Sequence, residues 1–408
     1  MINRTYIRCS ECGHEMMVRT AIGHGRSQKF AFPCKGCGAE ISFEMILDQE
    51  RGSFEYLHLN NGQWFNYESE LGDIIVLDEE TLVPNDIGNF FSPFMRTSRL
   101  PENVELFHGD RELRLIICNQ LWPILQKCKI YCDNSNWKLY EQSVKRFDSS
   151  FRLGSVNRNI AHFLRTIHRV GEPFRPFTDD KSRFIRDRIN AIEENNEVEC
   201  GKLRDYLRSI GWVNSLYVEL FSIKDKWATC VYYILQPLYL VLYWNKCENS
   251  LSNYYISQKR FSELKQFYVD VYETFCRVSV VAMGLEGIGL SGRLCVKDGV
   301  SSVDIDEFRG MDNGRKRKLI ESSALACFFN SICNNQMRNG VGHHSAHYRV
   351  DDDSVVYRIE NKRSVRECVV SYNNFCWSLF EMYYNFELVS VYLHWLFARE
   401  RGLTGRVV

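Results

Sequence analysis

The 408-residue chain has no excess charge of either sign. Its 51 lysines and arginines face 51 aspartates and glutamates, so the formal net charge is zero. That excludes nucleic-acid binding by bulk basicity and leaves such a role only to local patches. Internal repeats and low-complexity segments are also missing, which removes solenoid and fibrous classes. A 45% hydrophobic and 25% charged content is ordinary for a folded protein and supports roughly two or three domains. The opening MINRTYIRCSEC contains no apolar run of the signal-peptide kind. Long uncharged runs are scarce. One exception, WATCVYYILQPLYLVLYW at 227–244, only just reaches transmembrane length. It carries Gln236-Pro237 at its middle and spreads its tyrosines through the run instead of keeping them to its ends. The expectation is a buried helix pair broken near Pro237, and no membrane partner.

Cysteine, by contrast, is plentiful, with 16 residues. Cys118, Cys200, Cys230, Cys276, Cys327 and Cys376 sit in apolar stretches, as small hydrophobes do. Four others show motif spacing: Cys9-x-x-Cys12 and Cys34-x-x-Cys37, 21 residues apart, each pair leading into glycine. Such turns aim two thiolates at one ion, and four thiolates close a tetrahedral zinc site with no open position for water. The expected cofactor is therefore structural zinc, without which so small a module would not fold. His14 and His24 lie inside the module and are alternative ligands, but four cysteines are the simpler set. The pattern resembles a zinc ribbon. Arg4, Arg8, Arg19, Arg26, Lys29 and Lys35 make it locally basic, which is compatible with a nucleic-acid contact and leaves a purely structural role open. Free thiols beside a metal motif indicate a reducing compartment, hence a cytoplasmic location.

Along the chain, MINRTYIRC, KFAFPC and AEISFEMIL read as strands around the cysteine pairs. SFEYLHLNNGQWF suggests a hairpin with Asn-Gly at its turn. From about residue 108 the apolar spacing becomes helical through ELRLIICNQLWPILQKCKIYC, NWKLYEQSVKRF, SRFIRDRINAIEE and KLRDYLRSIGWVNSLYVELF. A polar run at 246–257 precedes a long helix, FSELKQFYVDVYETFCRVSVVAMGL. A glycine-rich connection, GLEGIGLSGRL, and a second long helix from Arg315 to Met337 follow. Tyr348 and Val350, the turn Asp351–Ser354, and alternating Val355, Tyr357 and Ile359 predict a hairpin. A last long helix is expected over 364–399. The fold class is thus mainly α: a four-cysteine β module over 1–48, a β-to-helical middle region over 49–250 and a helical domain over 251–408.

Between the second helix and the hairpin lies QMRNGVGHH. Part of it follows ordinary helix-stop rules, with arginine in the last turn and Gly340 at the left-handed cap. Those rules leave unexplained why three of the ten histidines, His343, His344 and His347, cluster just after it. On a continuous helix Arg338 and His343 would point about 140° apart. A break at Gly340 and Gly342 would let both reach one locus. Imidazole suits proton transfer near neutral pH, and guanidinium suits a phosphate in two-point contact. A near copy, Arg158-Asn159-Ile160-Ala161-His162, is one residue shorter and lies in a plain helical pattern. There the expected pairing is a helix-surface contact.

Arg338-Asn339 followed by His343, in a helical C-terminal domain, resembles the HEPN ribonuclease motif over residues 257–408. The resemblance implies a HEPN-like helical bundle with a β-hairpin insertion and metal-independent RNA cleavage, with no catalytic metal. It assigns His343 to proton transfer at the 2′-hydroxyl, Arg338 to the scissile phosphate and Asn339 to positioning. It further implies an RNA substrate, a homodimer with a composite site, and a toxin or antiviral defence role. His344, His347, Arg315 and Lys316 are the candidate RNA-binding residues. Glu321 lies too far along the preceding helix to join the motif. Two alternatives stand beside this reading. His343, His344 and His347 with Asp351–Asp353 are one, as a metal site. The other is a non-catalytic nucleic-acid-binding or regulatory protein with a HEPN-like dimerisation domain.

Overall fold

The computed structural model describes residues 2–22, 27–48, 51–66, 73–78, 83–84, 110–170, 175–244, 254–257, 259–297, 302–329, 335–342, 346–361 and 364–403. The N-terminal strands are β1 (Ile2–Cys9), β2 (Glu15–Ala21), β3 (Ser27–Pro33), β4 (Glu40–Asp48), β5 (Ser53–Asn60), β6 (Gly62–Trp64), β7 (Ile74–Leu77) and β8 (Val83–Pro84). Helices follow: α1 (Asp110–Asp133), α2 (Trp137–Val144), α3 (Val156–Val170), α4 (Arg175–Asn195), α5 (Glu197–Ser209) and α6 (Trp212–Trp244). After β9 (Tyr254–Tyr255) come α7 (Phe261–Ser291), β10 (Val296–Lys297), β11 (Ser302–Val303), α8 (Ile305–Gly310), α9 (Asn313–Glu321), α10 (Ala326–Phe329) and α11 (Asn335–Gly342). The chain closes with β12 (His347–Arg349), β13 (Ser354–Asn361), β14 (Ser364–Ser371) and α12 (Tyr372–Glu400). The protein is mainly α with small β-sheets.

Two compact units divide the chain, each assembled from three stretches: Met1–Gly109, Thr229–Tyr268 and Asn339–Phe380 form one, and Asp110–Ala228, Val269–Arg338 and Glu381–Val408 the other. In the first, a four-stranded sheet has the order β6-β1-β2-β7, with β7 parallel to β2. A three-stranded antiparallel sheet has the order β3-β4-β5. Ile7, Met16, Val18, Phe30, Phe43 and Leu77 pack into their shared core. The two sheets continue past residue 48. β5 completes one and β6 and β7 the other. The Asn-Gly hairpin does not form, because β5 pairs with β4 and β6 with β1. His58 and Asn61 take positive φ, which turns the chain from one sheet to the next. Gly62 lets β6 approach, since a Cβ there would lie 2.8 Å from Ile7 Cγ2.

The second unit is helical. Trp227 stacks on Tyr383 at 4.1 Å and 11°, and Phe275 packs edge-on to Phe386. Lys224 and Glu387, 2% and 1% exposed, form a buried ion pair at 2.6 Å. Breaking one partner of such a pair costs about 3–5 kcal/mol, because it strands a charge in low dielectric.

Several local expectations are corrected by tertiary contacts. The run 227–244 belongs to a single helix, α6, without a break near Pro237. Gln236 in its middle is buried and bonded to Ser257 and to the Asp78 carbonyl. KLRDYLRSIGWVNSLYVELF is two helices, parted where Gly211 takes φ +71°. The glycine-rich connection is instead the end of α7. A Cβ at Gly289 would lie 2.7 Å from Ile192 Cγ1, and one at Gly287 would overlap the Cys295 carbonyl. Close packing, not chain reversal, therefore requires these glycines. Helix α7 is also the described helix that is long and apolar enough to cross a membrane, and 78% of its most apolar window is buried inside the protein. The expected helix over 315–337 is interrupted. Ser322 and Ser323 bond the carbonyls of Leu319 and Ile320 and end α9. SVRECVVS is strand β14 instead of helix, paired residue for residue with β13. Val365, Val369 and Val370 suit a pleat.

Candidate functional site

The four predicted metal ligands converge. The Sγ atoms of Cys9, Cys12, Cys34 and Cys37 all lie within 4.8 Å of one another. Cys9 and Cys37 are 3.8 Å apart, and Cys12 and Cys34 3.6 Å. Tetrahedral Zn–S bonds of about 2.3 Å imply S···S edges of about 3.8 Å, so the set fits one ion. Each pair is shaped by the same backbone turn. Gly13 N–H donates to the Cys9 carbonyl at 3.0 Å and Gly38 N–H to that of Cys34 at 2.9 Å, with φ of +73° and +75°. Cys9 N–H reaches the His14 carbonyl at 2.9 Å, and Cys34 N–H that of Ala39 at 2.8 Å. Gly36 N–H points to Cys34 Sγ at 3.3 Å. A Cβ at Gly36 would press on His14 and on Cys12 Sγ. His14 is not a ligand here, since its Nε2 pairs with Asp73 at 2.7 Å. His24 lies outside the described residues. Burial pushes the Cys34 thiol up to about 12 without a cation, so metal uptake must displace its proton. Cys9, Cys12, Cys34 and Cys37 are free of disulfides.

The module's basic residues are partly engaged. Arg19 is 2% exposed and Arg8 pairs with Glu15, while Arg4, Lys29 and Lys35 face solvent. Arg26 lies outside the described residues.

At the second candidate site the helix does not stop where its glycines suggested. α11 continues through Gly340 to Gly342, and neither glycine takes positive φ. Gly340 is buried, and a Cβ there would overlap the Tyr357 ring. It is thus a packing glycine, not a left-handed cap. Arg338 is 30% exposed at its side chain and forks onto Glu273 from Nε, at 2.7 Å, and from Nη2. Its guanidinium carbon lies 5.9 Å from the Tyr272 ring centre. Asn339 faces solvent. His343 and His344 lie outside the described residues. His347 is exposed on β12 opposite Val356.

Glu273 was missed because 65 residues separate it from Arg338. A signal did exist. In the middle of helix α7, Asp270, Glu273 and Arg277 stand three or four residues apart on one face of an otherwise apolar stretch. Each finds an opposite charge: Lys226, Arg338 and Glu219 respectively.

The basic run does not present the surface expected. Lys316 is 9% exposed, with Nζ 5.8 Å from the Phe308 ring centre, and burial lowers its ammonium from the ordinary value. Arg315 is exposed but pairs with Asp312, whose carboxylate caps α9. Its charge is therefore offset. The acidic turn is likewise engaged: Asp352 pairs with Arg349 and Asp353 with Lys259. Arg349, helped by Ser354, holds the Asp352 carboxyl down to about 2. Among the described residues, only the four cysteines gather three or more metal-ligating side chains. No family model, curated protein or solved structure matches this chain.

Proposed function

We propose that the chain is a metal-independent endoribonuclease using Arg338, Asn339 and His343. The observation that carries the reading is the state of Arg338. Glu273 and Tyr272 fix its guanidinium while leaving it partly open to solvent, next to the exposed Asn339. Such a fork offers a preorganised contact to a phosphate. His343 takes the proton of the ribose 2′-hydroxyl, O2′ attacks phosphorus, and the P–O5′ bond breaks as O5′ gains a proton. The products are a 2′,3′-cyclic phosphate and a 5′-hydroxyl. Arg338 stabilises the charge that builds on the non-bridging oxygens, and Asn339 positions the strand. A homodimer with a composite site and a defence or toxin role in the cytoplasm complete this reading.

The test is incubation of purified protein with total RNA in EDTA, beside His343→Ala and Arg338→Ala. Cleavage that persists in EDTA and is lost in both variants supports the proposal, with a drop on the order of 10²–10⁴-fold for the histidine. The Arg338–Glu273 pair also favours a second reading, in which the arginine is structural and the domain is a non-catalytic binding module. Absence of cleavage by the wild-type chain, with Arg338→Ala unfolding more easily, would select it. The ion in the cysteine site is zinc in either case. Elemental analysis should find one zinc per chain, lost with Cys34→Ser, whereas iron in its place would overturn that assignment.

A further inference from the structure

Within the first unit, a cavity of about 290 Å³ opens beside the second cysteine turn. Its apolar wall is built by Phe32, Ile74, Ile75, Val76, Ile256 and Val350. Lys259, Tyr348 and Asp353 also line it. The Lys259 ammonium, whose side chain is 12% exposed, pairs with Asp353 and donates to the Tyr348 hydroxyl at 3.0 Å. That hydroxyl in turn donates to Asp353 at 2.8 Å. Two tyrosine rings flank the ammonium, Tyr348 at 5.4 Å and Tyr372 at 5.7 Å.

The charges decide what such a cavity can hold. Five charged side chains line it: Lys35, Lys259, Asp351, Asp352 and Asp353. Asp353 is matched by Lys259 and Asp352 by Arg349. That leaves Lys35 and Asp351, both exposed, opposite in sign and without an ion pair among the described residues. With Asp353 and Asp352 matched, the one positive and one negative charge that remain suit a ligand bearing one charge of each sign better than a phosphorylated one. The matched carboxylates are not available to a bare metal ion. Small-molecule pockets run from about 300 to 1,000 Å³, so this cavity suits a molecule at the small end of that range.

We propose that the cavity binds a zwitterionic α-amino acid with a bulky apolar side chain, its ammonium on Asp351, its carboxylate on Lys35 and its side chain against the isoleucine wall. The reading is independent of the nuclease proposal and uses neither Arg338 nor His343. Calorimetric titration of the full-length zinc-loaded protein tests it, with L-phenylalanine and L-leucine as probes. Phenethylamine, 3-phenylpropionate and adenosine monophosphate serve as comparisons. Both amino acids should bind, and each analogue lacking one charge should bind about tenfold or more weakly, the usual loss for one charge-assisted hydrogen bond. Asp351→Asn and Lys35→Ala sit on exposed positions and should each weaken phenylalanine binding by about the same factor. Failure of both amino acids to bind at millimolar concentration would overturn the proposal. So would equal binding of the truncated analogues, or binding of adenosine monophosphate alone.

Discussion

The chain contains nearly the same short string twice, Arg158-Asn159…His162 and Arg338-Asn339…His343, and the two copies live in different surroundings. In the first, Asn159 is 2% exposed. It accepts from the Gly154 N–H at 3.0 Å and donates to the Gly154 carbonyl at 3.2 Å. His162 is not the partner of a surface arginine. The Tyr140 hydroxyl is hydrogen-bonded to its Nδ1 at 2.8 Å, Asp148 lies 3.3 Å from Nε2, and Phe151 packs on the ring at 4.1 Å. The asparagine and the histidine of that copy are both engaged by neighbours within the fold. In the second copy Asn339 faces solvent and the arginine is clamped by a carboxylate from a distant helix. Residue letters and spacing name the chemistry a segment carries. Only its neighbours decide whether that chemistry is consumed by the fold or left for a ligand.

Substitution of the two asparagines should separate the copies most sharply. Asn159→Ala removes both hydrogen bonds to the Gly154 backbone and should lower stability by about 1–3 kcal/mol, whereas Asn339→Ala, at an exposed position, should cost less. Urea unfolding of the two variants side by side measures this. Equal losses would erase the contrast. A smaller effect is expected from Gly340→Ala. Helix propensity alone would favour alanine by about 1 kcal/mol, but the Tyr357 ring occupies the space. Overpacking of about 1–3 kcal/mol should win. Tyr357→Leu in the same chain should recover the loss. Stabilisation by Gly340→Ala alone would show that the ring yields. The smallest effect concerns pH. Burial holds the His162 imidazole below its ordinary value, with Asp148 opposing. The unfolded chain therefore takes up this proton first as pH falls, and stability should decline as pH drops below about 6.5. Thermal melts at about pH 7.5 and about pH 5.5 should show a smaller decline in His162→Gln than in the wild type. An identical decline would place the titrating group elsewhere.

The cysteine turns and the Arg338 segment differ in how far they could be read from the sequence. Cys9–Cys12 and Cys34–Cys37 carry their geometry with them: each x-x spacing, together with Gly13 or Gly38 at positive φ, makes a turn from local backbone bonds. Such a site is visible before any tertiary contact is known. The glycines at 287, 289 and 340 misled for the opposite reason. Each looks like a breaker from its neighbours in sequence, yet sits inside a helix because a segment outside that helix needs the room. SVRECVVS misled in the same way, its strand state depending on eight residues of β13.

Short-range spacing alone sufficed for the four-cysteine site, the β character of the first residues and the mainly helical remainder, but not for the bounds of the long helices. That spacing is two residues between thiols, two per pleat, and 3.6 per helical turn. Tertiary structure decided which glycines bend and which merely admit a neighbour, that Lys316 turns inward, and that Glu273 holds Arg338. It also assembled the cavity over Lys259 from four separate stretches of chain. Those outcomes depend on charge and volume meeting between different elements, across 65 residues for Arg338 and Glu273, where no periodicity within one element can report them.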